Sequence, residues 1–413
     1  MHSPRQIVAF SALGAFVAAT AFFATTALFA ADTARMRIAT YMTVAHAQEY
    51  IQRETVASSA VKAKIAAIRQ SVAAEKLTFT VGYTEALDRS LSVLAAARAP
   101  RGLGKLAATQ DVTAMRLLTI DRQARSEYAR INPNQLIELT ISRAAGASAF
   151  DWRSLGKVTS VKNQQCGNCW AYAPVGAYEA STLIRNGETI DASEHYIVSC
   201  AKYDNGDLAG TCKGGWHAGV FEYINSMGGI LHTPDTGTDG TCAVVPNAPF
   251  RAVAWGYVNA PPASRFEDGI PSLADMKAAL CEHGPLAVAV LATEEFQAYT
   301  GGVFKENLPA WKLTPIDSSH PRWKYHSVNH DILLIGWNDA RHAWLIKNSW
   351  GTCWGETGGM GAEKGYMWID YDSNNIGLGA AWVEAQNQAY KLPQEYYQIA
   401  PHVKPFPETR ILK

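Results

Sequence analysis

The sequence predicts an α+β chain with two lobes, preceded by an N-terminal region of different composition. Helical patterns come first after Trp152, at about residues 169–185, 217–227 and 272–283. Apolar strand patterns follow, within residues 286–292, 330–338, 342–350 and 365–371. A helix-rich half followed by a strand-rich half is typical of α+β proteins. The residues before Trp152 contain neither Trp nor Cys, which marks them as a separate region.

The composition is that of a globular protein with a large core. The chain has 413 residues, of which 48% are hydrophobic, and its 37 basic side chains balance its 37 acidic ones. A net charge of zero gives no reason to expect nucleic acid or an anionic membrane surface as a partner. No motif requires a cofactor or a resident metal, and we expect neither.

The N-terminus predicts export from the cytoplasm. No charged residue occurs from Ile7 to Ala31, and this apolar stretch is long enough to span a bilayer. Residues 1–31 are therefore either a cleaved secretory signal or an uncleaved membrane anchor. In both cases the rest of the chain reaches a periplasmic or extracellular compartment, where disulfides persist. Its seven Cys are an odd number, so at least one thiol remains outside any disulfide.

The closely spaced Cys166 and Cys169 allow three interpretations. A redox dithiol needs a strand directly before the motif, and no strand pattern precedes Lys162. A metal site would combine the pair with Cys212 and His217, but an oxidising compartment favours disulfides over thiolate ligands. The third interpretation is one disulfide and one nucleophile. Cys169 begins a predicted helix, where the helix dipole stabilises a thiolate, and this favours the third interpretation.

Two downstream residues would complete a thiol-based site. His330 begins an apolar strand pattern, and Asn348 lies in an Asn-Ser-Trp-Gly turn that includes Trp350. Taken singly, a core histidine and a turn asparagine are the simpler explanations. Taken together, in the order Cys, His, Asn, they predict a nucleophile, an acid–base and an orienting group.

These motifs resemble those of the papain-like cysteine proteases, peptidase family C1. The resemblance extends over about residues 150–383 and includes "KNQQCGNCW", "CKGGW", "NHDILLIGW" and "KNSWG". Asn168 departs from it, because Ser or Ala is usual before the nucleophile. The resemblance implies a papain-like two-lobed fold, with a helical lobe, a β-barrel-like lobe and a cleft between them. It also implies peptide-bond hydrolysis by a chain that is made as a zymogen.

The resemblance also implies roles for individual residues. Cys169 would attack the peptide carbonyl, with His330 as acid–base, Asn348 orienting the imidazole and Gln164 stabilising the oxyanion; Gln165 is the alternative for the last role. Gly214 and Gly215 would pair with the substrate backbone. The main specificity pocket, with an apolar or aromatic preference, would be lined by Trp216, His217, Ala289 and Val328. The expected disulfides are Cys166–Cys212, Cys200–Cys242 and, without a family precedent, Cys281–Cys353.

The expected organisation has four parts. They are a signal or anchor at 1–31, an inhibitory prosegment at 32–147, a peptidase domain at 148–384 and an extended C-terminal tail at 385–413. A separate accessory domain at 32–147 is the alternative to a prosegment. The expected partners are a peptide or protein substrate, the prosegment itself and, if 7–31 is retained, a membrane. Whether the enzyme cuts within chains or at their ends stays open.

Overall fold

The computed structural model describes residues 48–100, 103–133, 145–203, 206–226, 229–231, 233, 242, 250–258, 270–309 and 327–400. Residues 1–31, for which a signal or anchor is expected, lie outside these ranges. Within the ranges, none of the helices combines the length and the apolar character that crossing a bilayer requires.

Helices prevail before residue 227 and strands after residue 250. The helices of the described residues are α1 (48–56), α2 (Ser59–Ala74), α3 (Leu91–Leu94), α4 (Leu103–Ile131), α5 (Cys169–Arg185), α6 (Glu194–Cys200), α7 (His217–Ser226), α8 (Leu273–His283), α9 (Glu294–Ala298) and α10 (Gln394–Ile399). The strands are β1 (Thr80–Val81), β2 (Ala149–Asp151), β3 (Gly210–Thr211), β4 (Gly214–Gly215), β5 (Ala252–Tyr257), β6 (Leu286–Val290), β7 (Tyr299–Gly301), β8 (Val303–Phe304), β9 (His330–Asn338), β10 (Ala343–Lys347), β11 (Tyr366–Asp370) and β12 (Leu378–Ala385). The α+β class predicted from the sequence is confirmed.

The main sheet brings His330 and Asn348 to the same end of neighbouring strands. Its order is β5-β12-β6-β9-β10-β11-β8, with β2 pairing on β9. Strands β9 and β10 are antiparallel, with Leu333 opposite Lys347. The first residue of β9 and the first residue after β10 are therefore near neighbours. Strand β9 is buried along almost its whole length, which explains why its sequence is a continuous apolar run.

Helix α5 joins the helical part of the chain to the sheet. It packs against β9 and β12 on one side and against α7 on another. Nearly all of its side chains are buried, including Cys169 and Trp170 at its first turn. The packing fixes the start of α5 next to the start of β9, so residues from the two halves of the sequence meet there.

The N-terminal region packs on the strand-rich half. Ile65 and Ile68 of α2 form a small apolar cluster with Leu87 and Ala298. Strand β1 pairs antiparallel with β7, with Thr80 opposite Gly301. The chain then forms a short 3-10 helix at Glu85–Asp88.

Helix α4 is built into the core of the same unit as the sheet. Its buried side chains Ala114, Leu117, Leu118 and Ile120 share an apolar cluster with Val253, Ala254 and Val258 of the β5 edge. The carboxylate of Asp121 is fully buried and accepts hydrogen bonds from Arg185, at 2.6 Å, and from the Tyr390 hydroxyl, at 2.7 Å. This helix therefore covers one face of β5, whose sequence is apolar on both faces.

The prediction of an extended surface tail after residue 384 is wrong for residues 386–400. Tyr390, Leu392 and Tyr396 are buried, and Tyr396 lies within α10. The Tyr396 hydroxyl donates to the carbonyl of Val253 at 2.6 Å. These apolar side chains fold the tail back onto β5 and α4, which the proline-rich sequence pattern does not reveal.

The packing of α4 predicts a large stability effect at one of its positions. We expect Leu118→Ala to lower the free energy of unfolding by about 2–5 kcal/mol, because a fully buried leucine leaves a cavity. Val112→Ala is the matched control, since Val112 lies on the same helix and is 75% exposed. Urea unfolding of the full chain, followed by Trp fluorescence, measures both. A main transition with the same midpoint in Leu118→Ala and wild type would contradict the placement of α4 in the core.

Candidate active site

The pair Cys166 and Cys169 consists of one disulfide partner and one thiol. Cys166 is bonded to Cys212, and Cys169 is a fully buried thiol outside any disulfide. A redox dithiol would need the two to bond to each other, and a metal site would need the thiolates of Cys166 and Cys212. Both alternatives are excluded by the Cys166–Cys212 bond. Cys169 begins α5, so its own backbone N–H is one of the free donors at the helix start.

His330 is held in one orientation with one nitrogen left over. Its Nε2 lies 2.8 Å from Oδ1 of Asn348, and Nδ1 is buried with no hydrogen-bond partner among the described residues. The backbone N–H of Ser349 donates to the same Oδ1 at 2.8 Å, which fixes that oxygen as the acceptor. Nε2 therefore carries the hydrogen, and Nδ1 presents a lone pair. The indole of Trp350 stacks on the imidazole with ring centres 4.6 Å apart and shields it from water.

Burial keeps the thiol and the imidazole uncharged in this state. Desolvation raises the pKa of Cys169 to about 12, and the nearby carboxylate of Asp331 acts in the same direction. Desolvation lowers the pKa of His330 to about 4, against the hydrogen bond that His330 donates to Asn348, which favours the charged form. At neutral pH the site thus holds a thiol and a neutral imidazole, and neither is ready to react.

The cause of this burial is a segment of the N-terminal region. The backbone N–H of Ala97 donates to Asn329 at 2.8 Å, and that of Arg98 donates to Gly215 at 2.8 Å. Gly215 in turn donates to the carbonyl of Ala96 at 3.4 Å, and the Ala96 N–H contacts the sulfur of Cys169. Residues 94–98, which we call the cleft segment, therefore cover the thiol.

Gly214 is required for this close approach. It has a φ of +123°, and a Cβ there would come within 2.3 Å of the Ala96 carbonyl oxygen. The sequence predicts that Gly214 and Gly215 pair with the backbone of a substrate. In the structure, Gly215 forms backbone hydrogen bonds with the cleft segment on both sides of Ala97.

Gln164, rather than Gln165, faces the cleft. Its Nε2 donates to the carbonyl of Leu94 at 2.9 Å and to that of Cys166 at 2.7 Å. Its Oε1 accepts from the Ser349 hydroxyl at 2.6 Å, which fixes which end of the amide points at the cleft. Gln165 is exposed and donates to the backbone of Asn163 instead. An amide N–H is thus aimed at a peptide carbonyl beside Cys169.

The four residues predicted to line a pocket are all buried, and two of them, His217 and Ala289, lie against a further residue that the sequence analysis missed. The rings of Trp216 and His217 are tilted to each other with their centres 4.1 Å apart, and Ala289 and Val328 are fully buried. Nδ1 of His217 lies 3.2 Å from Oδ2 of Asp331, the residue after His330. Asp331 is also opposite Ala289 across β6 and β9. In the sequence, the position of Asp331 directly after His330, in "NHD", is the one indication that it belongs to the site.

The remaining cysteines give one confirmation and one correction. Cys200 is bonded to Cys242, as the resemblance implies. The expected Cys281–Cys353 disulfide is wrong, because both residues are thiols. Cys281 is buried in the apolar cluster around α8, whereas Cys353 is partly exposed and its carbonyl accepts a hydrogen bond from Arg53. An even count of leftover cysteines does not show that two of them are neighbours.

Comparison with known protein families assigns the chain to one of them. The model of the family described as papain family cysteine protease matches residues 146–383, more than half of the chain. The chain therefore belongs to the papain family of cysteine proteases, and the family predicted from the motifs is confirmed.

Curated relatives and solved structures agree with this assignment. The chain is 34% identical over 220 residues to a cathepsin L-like peptidase of Aedes aegypti. The matched region covers 51% of this chain and 57% of the relative. It is 32% identical over 256 residues to pro-cathepsin H of Mus musculus, covering 60% and 65%. The chain thus spans less than two thirds of the length of these relatives. The structure of digestive procathepsin L 3 of Tenebrio molitor is similar to this chain, with a TM-score of 0.50 and 22% sequence identity. The match covers 85% of this chain and 99% of that one, and this likeness supports the papain-like fold.

Proposed function

We propose that the chain is a cysteine peptidase made as an inactive precursor, in which Cys169, His330 and Asn348 hydrolyse peptide bonds. One observation carries the proposal: Nδ1 of His330 is a buried lone pair whose ring is held by Asn348, and the thiol of Cys169 contacts the backbone N–H of the next residue, Asp331. A base with an unused lone pair and a neighbouring thiol outside any disulfide are the two groups that proton transfer requires.

The reaction begins when the cleft segment leaves. Water and substrate then enter, the desolvation that keeps both groups neutral falls, and the thiol of Cys169 passes its proton to Nδ1 of His330. The thiolate attacks the carbonyl carbon of the substrate. The N–H of Cys169 and the Nε2 amide of Gln164 donate to the oxygen that becomes negative. The imidazolium protonates the leaving amine, and a water molecule, deprotonated by the imidazole, hydrolyses the thioester and frees the thiol.

Asn348 acts through His330 in this scheme. Its Oδ1 accepts from Nε2–H both before and after Nδ1 takes up a proton, so the ring does not turn during the cycle. Trp350 excludes water from this hydrogen bond, as its stacking on the imidazole indicates. Both residues therefore keep the base aimed at the cleft.

The inhibitory part of the N-terminal region consists of the cleft segment and the preceding residues that hold this segment in the cleft. Its backbone takes the hydrogen bonds of Gly215 that we assign to substrate, and Gln164 already donates to Leu94. We propose that residues up to about 100 form the inhibitor and that α4, whose side chains belong to the core around β5, stays with the peptidase domain. This narrows the prosegment of residues 32–147 expected from the sequence.

We also propose that the protein is exported. The disulfides Cys166–Cys212 and Cys200–Cys242 support this, because disulfides persist in oxidising compartments and are rare in the cytosol.

Cleavage within chains is the form of activity that the cleft supports best. A continuous polypeptide, from α3 through the cleft segment toward α4, passes over Cys169, so chain can extend on both sides of the thiol. We expect the processed protein to cleave an internally quenched peptide blocked at both ends. A matched peptide with free ends, measured in parallel, separates this from an exopeptidase, which would require the free ends. Cleavage of neither peptide would contradict the proposed function.

A further inference from the structure

Asp331 belongs to the pocket that we assign to substrate side chains. His330 and Asp331 are consecutive in β9, so their side chains point to opposite faces of the strand. Asp331 is opposite Ala289 in the register of β6 and β9, and its carboxylate contacts His217. Its backbone N–H reaches the sulfur of Cys169. The carboxylate is therefore at the pocket and next to the reacting thiol.

The carboxylate of Asp331 contacts His217 alone within the described residues. Asp331 is fully buried, and the imidazole and the backbone N–H of His217 are the groups that reach it. The Nδ1 of His217, at 3.2 Å, is close enough for an ion pair only if the imidazole is protonated, because Nε2 already carries its hydrogen toward the carbonyl of Gly379 at 2.8 Å. A buried carboxylate is costly unless it is paired, and a cationic donor would stabilise it further.

The rest of the pocket suits the stem of a long side chain. Trp216, Ala289 and Val328 are buried apolar residues of one cluster, which also contains Ala99, just beyond the cleft segment. Lys and Arg have apolar stems and cationic heads, so they fit an apolar wall that ends in a carboxylate. The guanidinium of Arg can donate to both oxygens at once, which Lys cannot do in the same plane.

We propose that Asp331 is a specificity-determining residue, and that the pocket of Trp216, His217, Ala289 and Val328 selects a basic side chain of the substrate, with Arg preferred. This inference rests on the proposed function. It replaces the apolar or aromatic preference that the residue types alone suggested. Asp331 is fully buried while the cleft segment covers the neighbouring thiol of Cys169, so the cationic head of the substrate reaches the carboxylate only after the cleft segment has left.

Substrate peptides that differ in one charge test this inference. In a series cleaved by the processed protein, each residue near the scissile bond is in turn Arg, citrulline or Leu, because citrulline keeps the shape of Arg without its charge. At one position we expect Arg to exceed citrulline in kcat/KM by at least about 10-fold. In Asp331→Asn this ratio falls to about one. The Leu peptide measures how much the substitution changes the reactivity of Cys169, and the Arg-to-citrulline ratio is independent of that change. Asp339→Asn, at an exposed carboxylate that binds Lys277 at 2.6 Å, keeps the wild-type ratio.

Each contrary result has a different meaning. An Arg-to-citrulline ratio that is the same in Asp331→Asn and wild type overturns the inference but leaves the peptidase intact. An equal loss for Arg, citrulline and Leu peptides also overturns it, because Asp331 would then act on the Cys169–His330 pair rather than on the substrate. No cleavage of any peptide by the wild-type protein overturns the proposed function itself, and this inference with it. Labelling of the Asp331→Asn thiol by a peptidyl epoxide shows that the variant is folded.

Discussion

Cys169→Ala is expected to lower the kcat/KM of the processed protein by at least about 10⁴-fold, because the substitution removes the atom that forms the thioester. The variant cannot process itself. It is therefore treated with affinity-tagged wild-type protein, which is then removed on resin before the assay. Hydrolysis of the blocked, internally quenched peptide measures the effect.

Cys353→Ala provides the matched control for this substitution. Cys353 is a thiol outside the site and partly exposed, so its loss leaves peptide hydrolysis near the wild-type rate. Peptide cleavage that persists in Cys169→Ala at the level of Cys353→Ala would show that another group is the nucleophile. The roles given to His330 and Asn348 would then be wrong as well.

The second large effect concerns the reactivity of the same thiol before and after processing. In the full chain Cys169 is fully buried under the cleft segment, and desolvation raises its pKa to about 12. At pH 7 only a very small fraction is thiolate, and each unit by which the pKa falls on processing increases that fraction tenfold. We therefore expect alkylation of Cys169 by iodoacetamide to become at least about 100-fold faster once the segment is removed.

Cys281 is the internal control for this measurement. It is a buried residue of α8, and the hydrogen bonds of the cleft segment go to Asn329, Gly215 and Gln164 instead, so its slow alkylation does not change on processing. Peptide mapping by mass spectrometry resolves the two cysteines in one experiment. Equal alkylation rates of Cys169 in the full and processed chains would contradict the inhibitory role of the cleft segment.

The elements that carry the site could be predicted because their signals are local. The continuous apolar run of β9 and the position of Cys169 at the start of a helical pattern are both readable from short stretches of sequence. Antiparallel pairing of β9 with β10 then brings His330 near Asn348. The choice between Gln164 and Gln165 needed the structure, because the two residues are of the same type and the sequence does not show which of the two side chains points into the cleft.

Features that depend on distant contacts could not be predicted. Asp331 meets His217 only because α7 packs near β9, and no pattern around either residue shows this. The burial of helix α4 depends on β5, which lies more than a hundred residues later in the sequence. Cys281 and Cys353 were paired only because both were left over.

Labelling with a thiol-directed peptidyl epoxide, followed by peptide mapping, tests the central claim most directly. The claim is that Cys169 is a nucleophile that His330 activates only when the cleft segment is gone. We predict one equivalent of label on Cys169 in the processed protein, little label in the full chain, and loss of labelling in processed His330→Gln. Label on Cys281 or Cys353 instead, or equal labelling of Cys169 with and without the cleft segment, would contradict the account.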